Sequence, residues 1–490
     1  MARAGAARSW PGAEAARDAS GVRGRVCSAL FFFPRGGSAQ VARALAHALP
    51  AHGWQVTLAS GSLGGPGEAT HAVSFYDGAD VAAVDYSPAL ALNDPLAAAV
   101  PFQPSYEDRP GSADRVFAVV DDAAYERLVA AWTGALARAG AARADLLHLH
   151  HLTPAHEAAL RAFPWLPIVG QLHGTELAFL RRLKAETPAG WRYASAWQQR
   201  LCRWAGGCAR LIVPPGAEGE VAALLGLERS RLHGLPSGVE LDRFRPRPRS
   251  GEARQAFWRR WLVDDPQGWD EHGAPGSIAY QVDDLAALAS APVMLYVGRF
   301  TAVKRLPVLI EAHQHAQARL GRDLPLILVG GHPGEWEGEH PLETIRTLAA
   351  RNVFLAGWRP HDQLPDALNA ADLLVLPSVA EAFGLALVEA MACGLPVIAC
   401  KAHGPAEIVR DGESGWLVPP HDEQALTAAL TDAATDVGER RRRGQQAATD
   451  ARQRFGWQAI ASRIAALYEQ VIDEYAGQRE ASIAPRRGPS

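Results

Sequence analysis

The chain has 490 residues, 48% of them hydrophobic and 21% charged, with a formal net charge of −4 at pH 7. That is enough for two domains of about 200 residues each, and the near balance of charge argues against nucleic acid as a partner. The five cysteines (Cys27, Cys202, Cys208, Cys393, Cys400) form neither a disulfide framework nor a zinc-ligand spacing, which predicts a reducing, cytoplasmic setting.

No apolar run approaches the ~18 residues that span a bilayer. Residues 1–24 are rich in Ala, Arg and Gly without an apolar signal-peptide core, so a disordered tail is expected there, and another at 477–490. From residue 25 onward, strand-like and helix-like segments alternate, the pattern of parallel sheets built from βαβ units. A continuous apolar run at 26–33 predicts a strand covered on both faces. Pro34 to Ser38 turn it into a helix at 40–51, and a second strand follows at 54–59. Residues 61–115, rich in Gly, Pro and Ala, read as an excursion covering a cleft. A helix at 121–139 and strands at 145–150 and 167–172 come next. A basic amphipathic segment at 176–204, broken near 188–190, precedes strands at 209–213 and 231–235. The motif GVELDRFRP at 238–246 resembles an interdomain hinge. Residues 247–291 are rich in Trp, Asp and Gly and have no assigned role. The second half carries strands at 292–297, 325–329, 352–356, 372–376 and 396–399, and a last helix at 458–475 long enough to cross back to the first half.

The most informative spacing is EAFGLALVE at 381–389. A carboxylate in the loop before a helix and a second one two turns inside it can face one cleft. Between them, Phe383, Gly384 and Leu385 offer amide N–H groups at a helix N-terminus, a seat for phosphate oxygens. Polyols need carboxylate acceptors, and diphosphates need N–H donors and cations. A nucleotide-sugar suits such a loop. Arg299 and Lys304 follow a strand directly, where two fixed cations would stabilise charge on a departing diphosphate. Gly36 and Gly37 open the first helix and allow close backbone approach to a phosphate or sugar.

Six blocks in this order resemble the family-4 retaining glycosyltransferases of the GT-B fold: GRFTAVKRL at 298–306, LILVGG at 326–331, VFLAGW at 353–358, the 381–389 segment, and GPAEIV at 404–409 leading into GESGWLV at 412–418. The resemblance implies an α/β fold of two doubly wound Rossmann-like domains facing across a cleft. Residues 25–238 would form the acceptor-side domain, with 458–476 packing back on it. Residues 239–457 would form the nucleotide-sugar domain. The implied reaction moves a sugar from a nucleoside diphosphate sugar, UDP- or GDP-linked, to an acceptor hydroxyl on a small molecule, lipid or glycan, with retention and without metal or cofactor.

Carried onto this sequence, Arg299 and Lys304 hold the donor diphosphate, Glu381 meets the sugar hydroxyls and Glu389 the ribose. His173, in QLHGTE at 171–176, is the matching histidine that contacts the donor sugar and is the first-half catalytic candidate. His148, His150 and His151 line the acceptor side; a metal site and plain core histidines are the other readings of that cluster. Arg35 stands where glycogen and starch synthases carry lysine, which argues against that activity. Two carboxylates would also suit a glycosidase, but the phosphate apparatus would then have no purpose. A GT-B epimerase and a non-catalytic sugar-binding relative are the rival functions. The basic residues Arg181, Arg182, Lys184, Arg192, Arg200 and Arg203 form a solvated face or, alternatively, touch an anionic membrane from the cytoplasmic side.

Overall fold

Strand β1 (Gly24–Leu30) is buried at all but one position, as a strand with helices on both faces must be. It anchors a seven-stranded parallel sheet with β2 (Trp54–Ser62), β3 (Asp80–Asp85), β4 (Leu146–His150), β5 (Ile168–Gln171), β6 (Arg210–Val213) and β7 (Leu232–Gly234), in the order β3-β2-β1-β4-β5-β6-β7. A six-stranded parallel sheet holds β8 (Met294–Gly298), β9 (Leu326–Gly330), β10 (Val353–Gly357), β11 (Leu373–Leu376), β12 (Val397–Cys400) and β13 (Gly415–Val418), in the order β10-β9-β8-β11-β12-β13. This is a computed structural model that describes residues 21–107 and 112–483. Strand order reverses between β1 and β4 and again between β8 and β11. At each reversal the loops beyond the carboxyl ends diverge and open a crevice. The expected pair of doubly wound α/β units is present.

Several elements differ from the sequence-based expectation. The first strand ends at Leu30, because Phe31 leaves the sheet to pack against Trp132 at 5.3 Å and Phe117 at 6.1 Å. Within 61–115, residues 80–85 form β3, an edge strand whose apolar run is only four small or medium residues, Val81 to Val84, between two aspartates. Among the described residues of that stretch, Tyr106 and Glu107 are the ones that line the cleft. β13 pairs with β12 and was not expected as a strand.

Residues 247–291 have a structural role. Helix Gly251–Arg259 and the turn Arg260–Asp264 lay Trp258, Trp261 and Trp269 into the second-half core, each at most 2% exposed. Trp258 Nε1 donates to Ala370 O at 3.0 Å, Arg254 pairs with Asp372 at 2.6 Å, and Arg359 reaches Asp265 at 2.7 Å.

The last helix, Trp457–Ile483, crosses back and lies on the first sheet. Ile460, Ile464, Tyr468 and Val471 share one core with Val26, Val41 and Trp54, and Tyr468 meets Trp54 edge-on at 5.0 Å. The helix continues through part of the expected C-terminal tail, where Gln478, Arg479, Glu480 and Ala481 are good helix formers. Of the two expected tails, residues 1–20 and 484–490 lie outside the described residues. No helix among the described residues is long and apolar enough to cross a membrane.

Candidate active site

The second-half wall of the cleft is made of loops. After β8, the Tyr296 hydroxyl donates to Arg299 O at 2.7 Å and so pins the loop carrying Arg299 from below. Burial, and then the charge of Glu381, keep that hydroxyl protonated. Phe300 stacks on Trp269 at 5.4 Å, and Trp269 Nε1 donates to Gly331 O at 3.2 Å, so the tryptophan-rich segment supports the loop carrying Arg299. A single turn, Ala302–Lys304, then aims Lys304 at Glu381, and the two form an ion pair, each about one-sixth exposed (16% and 17%).

Glu381 stands in the loop after β11. Its carbonyl accepts from Gly404 N–H at 3.0 Å, which ties this loop to the start of helix His403–Ile408. Gly384 caps helix Leu385–Ala392 at φ 103°, a left-handed conformation in which a side chain would be strained. The first turn of that helix has no intrahelical acceptors for its N–H groups, and Phe383, Gly384, Leu385 and Ala386 all line the cleft.

The first-half wall grows from the ends of β4 and β5. All of β4 is buried, so His148 and His150 point into the protein interior, with their rings stacked at 4.5 Å. His148 Nδ1 lies 2.5 Å from the Tyr468 hydroxyl on the crossing helix. His150 Nδ1 lies 3.0 Å from His173 Nε2. His151 sits at φ 61° and is held there by Glu176, whose Oε1 is 2.7 Å from His151 Nδ1. The same carboxylate accepts the His173 backbone N–H at 3.3 Å. Burial opposes the Glu176 charge, but the His151 ring and nearby backbone N–H groups outweigh it and hold the pKa below the ordinary range. Burial pushes the His148 pKa down to about 4, and drives His150 and His173 well below the usual histidine value with help from neighbouring rings. These rings are neutral at pH 7.

Of the expected site residues, the structure gathers Gly37, His173, Arg299, Lys304, Glu381, Phe383, Gly384 and Leu385 around one cleft of about 710 Å³. It does not put His148, His150 or His151 on the wall. They are 1%, 1% and 4% exposed, because a central strand covered on both faces has no free face to offer. Glu389 is off the wall too: it is 8% exposed and its Oε1 lies 2.7 Å from His361 Nε2. Gly36 caps helix Gly37–Ala48 from outside the lining. Among the described residues no group of three or more His, Cys, Asp or Glu is arranged to hold a metal ion.

Contacts across the cleft are the features that sequence reasoning missed. Glu107 grips Arg299 through both carboxylate oxygens, one at 3.1 Å. Partial desolvation in the cleft opposes the Arg299 charge, although the side chain is 45% exposed, yet Glu107, with Glu335 and Asp114 behind it, raises the pKa above the usual arginine value. Arg35 bridges the halves, 2.5 Å from Asp114 and 2.9 Å from Glu335. A Cβ on Gly174 (φ 101°) would fall 2.3 Å from the Ala382 side chain, so the two walls touch there. Half of the six cations of the basic segment are committed to carboxylates: Arg181 to Glu220 at 2.5 Å, Arg200 to Asp122 and Arg203 to Glu157.

Two facing doubly wound units with a crossing C-terminal helix and one shared cleft have the architecture of a GT-B glycosyltransferase. Sucrose-phosphate synthase (tll1590) from Thermosynechococcus elongatus matches with a TM-score of 0.63 at 21% identity, over 92% of this chain and 100% of that one. Alr3699/HepE from Anabaena, solved with UDP-glucose, matches with a TM-score of 0.62 at 19% identity, over 91% and 100%. Residues 35–243 match Glycosyltransferase Family 4, and residues 283–450 match Glycosyl transferases group 1. The chain is 30% identical over 368 residues to D-inositol 3-phosphate glycosyltransferase 1 of Catenulispora acidiphila, covering 72% of this chain and 78% of that protein. A namesake from Streptomyces bingchenggensis is 30% identical over 342 residues, 68% of each. The chain belongs to glycosyltransferase family 4 and is a glycosyltransferase. The tryptophan-rich cover falls largely between the two matched stretches, which is why the resemblance left it unassigned.

Proposed function

We propose that this enzyme moves a sugar from a nucleoside diphosphate sugar to an acceptor hydroxyl with retention of anomeric configuration. The observation that carries this reading is the occupation of the two loop cations. Glu107 binds Arg299 with two oxygens, the fork geometry that arginine also offers to phosphate. Lys304 is paired with Glu381 beside the exposed start of helix Leu385–Ala392. A diphosphate entering here would take over Arg299 from Glu107 and add the helix-start N–H groups. Glu381 and Gly384 would then border the sugar, with His173 opposite. No divalent cation is needed for that neutralisation.

Beside His173, Glu176 is fully buried and bonded to His151. The cleft-lining carboxylates of the first half among the described residues, Glu107 and Glu220, stand against Arg299 and Arg181, and the proposed reading assigns neither of them as a covalent nucleophile. In the front-face route, the bond from the anomeric carbon to the phosphate oxygen breaks. The acceptor oxygen bonds to the same face of that carbon, and its proton passes to the departing phosphate. Arg299, Lys304 and the helix start stabilise the charge that develops, and closure of the two walls excludes water.

UDP-glucose is the first donor to try, because HepE was solved with it; GDP- and ADP-sugars are the controls. The acceptor is a small molecule, lipid or glycan. A cytoplasmic enzyme fits the free cysteines, with the basic helix face the place where an anionic membrane would be met. Thermal shift against each nucleotide-sugar, followed by product analysis with and without acceptors, tests the reading. A donor that stabilises the fold and is consumed to an α-linked product, from an α-linked donor, supports it. An inverted product, or isomerisation of the donor without acceptor, contradicts it. Transfer should survive EDTA; loss restored by magnesium or manganese would return the diphosphate to a metal.

A further inference from the structure

We propose that His150 is a positioning residue that fixes the His173 proton on Nδ1, so that His173 meets the substrates as a hydrogen-bond donor and not as a base. The inference rests on the reading of His173 given above. His150 Nδ1 and His173 Nε2, 3.0 Å apart, share one hydrogen, and two arrangements are open. In the first, His150 donates from Nδ1, its own Nε2 is bare, and His173 keeps its proton on Nδ1. In the second, His173 donates from Nε2, and His150 must carry its proton on Nε2.

The surroundings of His150 separate the two. Its Nε2 is buried and has no hydrogen-bond partner among the described residues. The second arrangement would bury an N–H donor away from any partner among the described residues, which forfeits a whole hydrogen bond, whereas the first leaves only a lone pair unpaired. A flip of the ring is no escape, because it would turn Cδ2 toward His173 and lose the bond. His150 lies face to face with His148 at 4.5 Å and edge to edge with His173, the ring centroids 5.2 Å apart, and His148 is itself tied to Tyr468 at 2.5 Å. His173 is fixed from the other side, with its backbone N–H on Glu176 and the His151 ring at 4.5 Å. The low pKa values of both rings, set first by burial, agree with neutral imidazoles on each side of the shared hydrogen.

The chemical consequence follows from the atom left over. His173 lines the cleft, and its Nδ1 makes no bond to the described residues. Protonated, that nitrogen donates to a sugar or acceptor oxygen and has no lone pair to receive the acceptor proton. Proton acceptance is then left to the departing phosphate.

Long-range proton–nitrogen correlation spectra of the full-length enzyme labelled with 15N-histidine read the tautomer directly, with the His173→Gln variant identifying the His173 signals. The expected result is a protonated Nδ1 and a bare Nε2 on His173. The opposite tautomer overturns the proposal, whether or not the enzyme is active. His150→Leu removes the donor and should lower kcat on the order of tenfold or more, with KM for the nucleotide-sugar nearly unchanged. His150→Asn keeps an N–H donor near the position of Nδ1 and should restore most of that loss. A folded His150→Leu enzyme with unchanged kcat overturns the positioning role, and if that variant does not fold, the wild-type tautomer decides. A chain that transfers no sugar from any donor would defeat the proposed function while leaving the tautomer readable, so the two failures are distinguishable.

Discussion

On the second-half wall, Arg299, Lys304, Glu381 and Gly384 stand on loops beyond strand ends, and the side chains among them are balanced by carboxylates or balance cations themselves. In the first half, His173 lines the wall and His148, His150 and His151 sit buried behind it, beneath the carboxyl edge of the sheet, and their bonds run to one another, to Glu176 and to Tyr468. A loop cation with a partner that can be displaced is free to change partners when a ligand arrives. A buried ring in a bonded row cannot. In the proposed function the second wall exchanges charge with a diphosphate, and the first presents one rigid polar edge.

That contrast is broken or sharpened by substitution. The largest loss is expected for Lys304→Ala and Arg299→Ala, on the order of 10²-fold or more in kcat/KM, because each faces charge that grows in the transition state. Their melting temperatures should stay near wild type, since loop cations support little core; transfer assays beside thermal melts check both halves of the claim. His173→Ala should cost transfer on the order of 10²-fold as well, while affinity for the nucleoside diphosphate alone is retained. It should also lower the melting temperature, because it leaves His150 without its partner. Glu381→Gln should weaken binding of the intact nucleotide-sugar by about tenfold, the scale of one charged hydrogen bond, and leave nucleotide binding in place.

Acid should separate the walls next. His148 and His156 have folded pKa values of about 4 and about 3, and His150 and His173 also lie well below the usual value. With a folded pKa below the unfolded one of about 6.5, the unfolded chain binds the extra proton. Stability is full above that pH and falls as pH drops from about 6.5 toward 4, by about 1.4 kcal/mol per pH unit for each such group. Hydrogen exchange at pH 5 should show the first half opening before the second, where His313, at about 4, and His340 are the comparable groups. The smallest effect is expected for Glu107→Gln. Removing the carboxylate that competes for Arg299 should tighten donor binding severalfold, the scale of a partly exposed ion pair; an affinity that falls would make Glu107 part of the donor site.

The two walls also differ in how far the sequence discloses them. The second wall is written in contiguous blocks, 298–306 and 381–389, where glycine marks the turn and the functional side chains stand a few residues away. Arg299, Lys304, Glu381 and Gly384 accordingly fall where their spacing puts them. Glu389 does not, because helical spacing alone leaves open whether two turns on it meets the cleft or His361. The first wall is assembled from strands far apart in the chain. His148 and His150 were legible as one strand face, but nothing local shows that the strand is central and that its histidines therefore point inward. Glu107 and Arg35 were out of reach for a related reason. Their partners, Arg299 and Glu335, belong to the other half, and such pairing is set by how the halves close and not by local pattern. β3 escaped because this short edge strand has a shorter apolar run than the one that announced β1.

The division of labour between the walls is tested most directly by calorimetric titration of the wild type, Lys304→Ala and His173→Ala with UDP and with UDP-glucose. The expected result is that Lys304→Ala loses affinity for both ligands, on the order of tenfold or more, while His173→Ala binds UDP like the wild type. Equal loss of UDP affinity in His173→Ala would place His173 in the nucleotide site and contradict the account.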